Sequence, residues 1–127
     1  MTATRQFHAL VRALGLARDT AGVALDRLRD VLAAPDLLAH DAALHASGRP
    51  CQLLLQQLEL VLEEARVFCD ELGERPPGLP SVEAAHQSVA EGFASYRYHH
   101  EPEELAPRVQ ELVAALDDFE RSLGVRH

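Results

Sequence analysis

The sequence predicts an all-α fold, a four-helix bundle formed by a single domain that spans residues 1–127. Apolar residues recur at alternating spacings of three and four, which is the periodicity of an amphipathic helix. Prolines and glycines are concentrated between these periodic segments and divide them into separate helices. The length and the hydrophobic content of 47% are sufficient for one helical core without disulfide bonds.

The first predicted helix is long, covers residues 4–34 and is ended by Pro35. Its core-facing side chains are Phe7, Leu10, Leu14, Ala17, Ala21, Ala24, Leu28 and Val31. Residues 35–48 begin with a proline and end at Gly48, which predicts a short connecting helix. The inward-facing residues of this short helix are predicted to be Leu37, Leu38 and Leu44.

The second long helix is predicted over residues 50–72, with Gly73 as its C-cap. Its core-facing side chains are Cys51, Leu54, Leu58, Val61, Ala65, Phe68 and Leu72. The two cysteines, Cys51 and Cys69, are about 27 Å apart along this helix. They cannot form a disulfide with each other, because the Cα atoms of a disulfide lie within about 7 Å. Both are predicted to be small buried side chains.

A proline-rich linker, GERPPGLPS at residues 73–81, separates the long helices from the last two. The third helix is predicted to begin at the Ser81 cap and to continue to about residue 99. Its core-facing residues are Val82, Ala85, Val89, Phe93 and Tyr96, and those of the fourth helix are Leu105, Val109, Leu112, Leu116, Phe119 and Leu123. The chain therefore contains four principal helices and one short one.

The segment SYRYHHEPEE, residues 95–104, is rich in chemically active side chains and lies between the last two helices. Its cationic residues suit the negative end of a helix dipole, and these are Arg97, His99 and His100. Pro102 and the two glutamates that follow suit the first turn of the next helix. The segment is thus interpreted as one helix end followed by one helix start, and the regular helix begins at either Pro102 or Pro107.

Composition disfavours nucleic-acid and membrane partners. The net charge of −8 opposes binding to phosphates. Residues 1–34 hold five arginines and three aspartates, net +2, whereas residues 35–74 hold two arginines and eight acids, net −6, which favours antiparallel pairing of the long helices. An alternative is a nucleic-acid stripe formed by Arg5, Arg12, Arg18, Arg27 and Arg29, which Asp19, Asp26 and Asp30 interrupt.

No segment has the length of a membrane span or the apolar core of a secretory signal, so we expect a cytoplasmic protein.

Two patterns predict an enzyme or a metal-binding protein as the alternative function. Glu83 and His86 form an E-x-x-H element, which helical di-iron proteins use twice together with a lone glutamate from each of two other helices. The core-facing positions of the other helices supply no carboxylate, and only Glu120 lies beside them. We therefore expect no metal, cofactor or catalytic site from this element.

Arg121 and His127 are separated by five residues. This spacing resembles the R-x4-6-H arrangement of the HEPN family of helical ribonucleases, in which the pair lies on one helix of a bundle. The resemblance covers these two residues and the five between them, and it implies a helical ribonuclease as one form of the alternative function.

A second apolar stripe runs along both long helices and predicts an interface. When Phe7 and Cys51 are taken as heptad position a, position c holds Ala9, Leu16, Val23, Leu53, Leu60 and Val67. Position c lies about 200° from position a around a helix, so both helices are apolar on two opposite sides. Gly15 and Gly22 beside this stripe favour a close helix contact, since glycine costs about 1 kcal/mol inside a helix.

The predicted function is a non-catalytic protein-interaction or structural module that self-associates or binds a partner helix. Its interface is predicted at Leu16, Val23, Leu53, Leu60 and Val67. A symmetrical homodimer is the simplest way to cover such a stripe.

Overall fold

The computed structural model describes residues 2–99 and 101–124, with side chains described for residues 5–93 and 101–124. Four helices follow one another, α1 Thr2–Ala33, α2 Leu37–Leu72, α3 Leu79–His99 and α4 Pro102–Ser122. Each helix contacts the next one along the chain, and α4 returns to contact α1. The predicted all-α four-helix bundle is confirmed. We call the end of the bundle that carries the start of α1 and the α2–α3 linker the lower end.

α1 and α2 form a long antiparallel hairpin, about 48 and 54 Å in length. Asp36 caps α2, since its carboxylate accepts a 2.8 Å hydrogen bond from the Ala39 N–H. At the lower end, the Phe7 and Phe68 rings lie 5.9 Å apart, and the Gln6 side chain donates to the Glu64 backbone carbonyl. These contacts fix the register of the two helices.

The prediction of a separate short connecting helix over residues 35–48 is wrong. α2 is one 36-residue helix that passes through Gly48 and Pro50. Ser47 and Cys51 are both buried on the same side as Leu54, so tertiary packing holds the helix together across its unfavourable residues. The Ser47 hydroxyl also donates to the Leu44 carbonyl at 2.8 Å.

The inward orientation predicted for the start of α2 holds only in part. Leu44 is partly buried and packs against the core. Leu37 and Leu38 are instead 77% and 82% exposed. The core extends no further along this helix than Leu44, so the first turn of α2 has little to pack against within the described chain.

The α2–α3 linker is held against the end of α4. Gly73 adopts a left-handed φ of 77° and its N–H bonds to the Cys69 carbonyl at 2.8 Å, as predicted for a C-cap. Gly78 has a φ of 91°, and a Cβ there would lie 3.3 Å from the Phe119 Cα. The Ser122 hydroxyl donates to the Pro77 carbonyl at 2.7 Å. α3 begins at Leu79, two residues before the predicted cap.

The α3–α4 junction agrees with the interpretation of residues 95–104 as a helix end and a helix start. α3 ends at His99, and α4 begins at Pro102 with Glu103 and Glu104 in its first turn. Pro107 is inside α4, so the regular helix starts at Pro102. His100 lies outside the described residues.

The core lies where the heptad pattern predicts it. Most predicted core-facing residues are buried, but Leu72, at the end of α2, is 46% exposed, and the side chain of Tyr96 lies outside the described residues. α3 and α4 approach closely at Gly92, where a Cβ would stand 2.6 Å from Arg108 Cδ. Gly15 and Gly22 show no such approach, because a Cβ at either position would have no neighbour within 4 Å. The close helix contact expected from these two glycines is therefore absent within the described part of the chain.

Candidate interaction face

The outer face of the α1–α2 hairpin, defined here by the position-c residues of both helices, points away from α3 and α4. Four of the predicted interface residues are large, apolar and nearly half exposed: Leu16 at 49%, Val23 at 48%, Leu53 at 44% and Leu60 at 46%. The fifth, Val67, is intermediate in exposure. The structure thus brings the predicted residues together on one face, and their role in binding stays a prediction.

The antiparallel register makes these side chains alternate between the two helices. From the lower end upward the order is Val67, Ala9, Leu60, Leu16, Leu53 and Val23, because α1 rises while α2 descends. The face therefore carries one row of apolar residues that alternates between the two helices.

A groove of about 650 Å³ occupies the upper part of the outer face. It is lined by Asp19, Thr20, Val23, Arg27, Ala46, Arg49, Pro50 and Leu53. Pro50 has no N–H, so the Ala46 carbonyl lacks its usual donor one turn later. The groove thus combines apolar side chains with charged groups and a backbone carbonyl that lacks its helical donor.

The strip between the α1 and α2 members of the apolar row is polar. The Gln6 amide donates to both the backbone carbonyl and the carboxylate of Glu64. Farther up, Gln57 Oε1 is buried and has no hydrogen-bond partner in the part of the chain that the structure describes. A buried acceptor without a partner costs free energy, so this polar strip contributes less to the stability of the fold than an apolar core would.

Charged residues flank the outer face in a regular order. On α1 the exposed row is Arg5, Arg12, Asp19 and Asp26, with a spacing of seven residues between neighbours. On α2 the flank holds Arg49 near the upper end and Glu63 and Asp70 near the lower end. Arg66 binds both of these acids, at 2.6 and 3.3 Å, and its hydrogen bond to Glu63 lowers the pKa of that carboxyl.

No protein-family model, curated protein or solved structure matches this chain. Along the described residues, none of the helices combines the length and the apolar character needed to cross a membrane.

In the E-x-x-H element of Glu83 and His86, the glutamate makes a different interaction. Glu83 forms an ion pair with Arg75 across the start of α3, so one of the two candidate ligands already has a cationic partner. Within residues 5–93 and 101–124, no three His, Cys, Asp or Glu side chains are grouped so that they could hold a metal ion.

Among the described residues, the structure adds no further feature of the HEPN arrangement to the spacing of Arg121 and His127. Arg121 is paired with Asp118 on its own helix at 3.0 Å. α4 ends at Ser122, and Gly124 adopts a left-handed φ of 83°. The helix therefore does not continue from Arg121 toward His127, which lies outside the described residues.

The two thiols have different surroundings. Cys51 is 1% exposed, and burial raises the pKa of its thiol to about 12. Cys69 is only partly buried, and burial raises its pKa as well. Cys69 lines a second groove, of about 580 Å³, between α2 and α3. The prediction that both are buried thus holds for Cys51 and only in part for Cys69.

Proposed function

We propose that the protein is a non-catalytic interaction module that self-associates through the outer face of the α1–α2 hairpin. The single observation that supports this is the apolar row of Leu16, Val23, Leu53 and Leu60, each 44–49% exposed on one continuous face. An exposed apolar row of this length is unfavourable in water, and association removes it from solvent. Val67 extends the row toward the lower end.

The area of the hairpin side that carries the outer face is close to what a stable dimer buries. Two helices side by side, each about 48 Å or more in length and about 10 Å wide, present roughly 900 Å², and the position-c residues span about 21 Å on each helix. Specific interfaces bury about 800 Å² on each partner. A helix of another protein in the same groove is the alternative occupant, and it would cover a smaller share of the face.

The remaining properties agree with this proposal. The net charge of −8 disfavours nucleic acid as the partner. Both cysteines are free thiols, which is typical of a reducing compartment and supports a cytoplasmic location as part of the proposal.

Leu16→Glu and Leu60→Glu, introduced separately, are expected to convert a dimer into a monomer. A two-fold interface receives each substitution twice, so each variant places two charges in a desolvated contact. We expect the dissociation constant to rise about 100-fold or more, on the order of 3 kcal/mol. Sedimentation at several micromolar concentrations measures the change, and circular dichroism checks that the fold is retained.

Leu38→Glu is the matched control, because Leu38 is 82% exposed and lies at the tip of the hairpin away from the outer face. It should leave the dissociation constant unchanged. A wild-type protein that is monomeric at 100 µM or so would exclude self-association at ordinary concentrations. If both glutamate variants remained dimeric, the dimer interface would lie on another face of the protein.

A further inference from the structure

Four exposed charges of α1, spaced seven residues apart, have no ion-pair partner among the described residues of the bundle. Arg5, Arg12, Asp19 and Asp26 form no ion pair with any side chain in residues 5–93 and 101–124. Two other arginines of α1 do have partners: Arg18 contacts Asp117 of α4, and Arg27 contacts Asp30 on its own helix. The four charges of the row are thus left for solvent or for another molecule.

The order of this row is self-complementary under reversal. From Arg5 to Asp26 the signs are plus, plus, minus, minus at intervals of seven residues. When a second copy of the row runs in the opposite direction, Arg12 faces Asp19 and Arg5 faces Asp26, and each pair forms twice. A parallel copy would instead set like charges against each other, which is unfavourable.

The apolar row has the same centre of symmetry. When a second copy of α1 runs in the opposite direction with Leu16 at the centre, Leu16 of one copy faces Leu16 of the other. Ala9 of each copy then faces Val23 of the other. The register of the hairpin puts the middle of the Leu53–Leu60 segment level with Leu16. Leu53 of one copy then faces Leu60 of the other, so a single axis satisfies the contacts of both helices.

We infer that the partner at the outer face is a second antiparallel copy of this chain, with α1 against α1 and the two-fold axis at Leu16. This inference rests on the proposed function and specifies its geometry. Packing α1 of one copy against α2 of the other would place Arg12 near Glu63. That carboxylate is already bonded to Arg66, as is Asp70, so those acids offer less to a second arginine.

A charge exchange within α1 tests the antiparallel arrangement. Arg12→Asp and Asp19→Arg each replace two attractive pairs with two repulsive ones, and we expect each to raise the dissociation constant about 10-fold or more at low salt. The double variant Arg12→Asp/Asp19→Arg restores both pairs with exchanged signs. Its dissociation constant should return to within about threefold of the wild-type value, measured by sedimentation.

Arg29→Asp is the matched control, because it changes the net charge equally at an exposed position outside the row. It should shift the dissociation constant by less than about threefold. If Leu16→Glu dissociates the dimer but the double exchange gives no recovery, the outer face is the interface and the antiparallel arrangement is wrong. Recovery of Arg12→Asp by Glu63→Arg instead would show that α1 faces α2.

Cross-linking locates the axis itself. Leu16→Cys should form an intermolecular disulfide under mild oxidation, since the two copies of residue 16 face each other within the roughly 7 Å that a disulfide requires. Val23→Cys should not, because its two copies would be about 21 Å apart along the helices. Wild type under the same conditions shows the contribution of Cys69. Equal cross-linking of the two variants, or cross-linking of Val23→Cys alone, would overturn the proposed axis.

Discussion

Replacing Phe119 with alanine is expected to lower the free energy of unfolding by about 3 to 5 kcal/mol, the largest effect of any single substitution considered. Phe119 is 0% exposed and is among the largest fully buried side chains of the core. Its removal loses the transfer free energy of the ring and leaves a cavity. Equilibrium urea unfolding measures the change.

Leu38→Ala is the control for this measurement, since Leu38 is 82% exposed and should change the stability by less than about 0.5 kcal/mol. The slope of the urea transition should stay the same for both variants, which shows that they unfold from the same compact state. If Phe119→Ala were no more destabilised than Leu38→Ala, α4 would not contribute this residue to the core.

The core-facing side of each helix could be predicted from the sequence, because the spacing of residues along a helix determines the direction in which their side chains point. Leu10, Leu14 and Leu28 are all fully buried, as their heptad positions require. The continuity of α2 could not be predicted in this way. Gly48 and Pro50 disfavour a helix locally by roughly 1 and 3 kcal/mol, and only the burial of the neighbouring side chains on the packed hairpin outweighs that cost.

The outer face was predictable to the same extent as the core, because position c follows from the same periodicity. In the sequence, the α1 arginines form one possible nucleic-acid stripe, and their spacing alone does not show which of them have acidic neighbours. Arg12 and Arg18 differ sharply in the structure, since Arg18 reaches Asp117 and Glu120 while Arg12 has no ion pair among the described residues. Because they are six residues apart, the two arginine side chains point in different directions from α1. Only the packing of α4 shows which of them lies near acidic side chains.

Glu120→Ala is expected to destabilise the protein by about 2 to 3 kcal/mol. Glu120 is 3% exposed, and its carboxylate lies 3.6 Å from the Arg18 guanidinium, which links α4 to α1. Removing one partner of a buried pair costs about 3 to 5 kcal/mol in general. Because the Arg18 side chain is 32% exposed and also contacts Asp117, part of that cost is relieved by solvent and by the second acid.

A double-mutant cycle separates the ion pair from the packing of the glutamate side chain. Arg18→Ala, Glu120→Ala and the double variant should give a coupling energy of about 1 kcal/mol or more in urea unfolding. The exposed pair Arg27 and Asp30, 3.8 Å apart, is the matched control and should give less than about 0.5 kcal/mol. Glu120→Leu adds a further test, since an apolar side chain of similar volume removes the buried charge and should restore part of the lost stability. A coupling no larger than that of the exposed pair would show that Glu120 acts at this position by filling space rather than by pairing with Arg18.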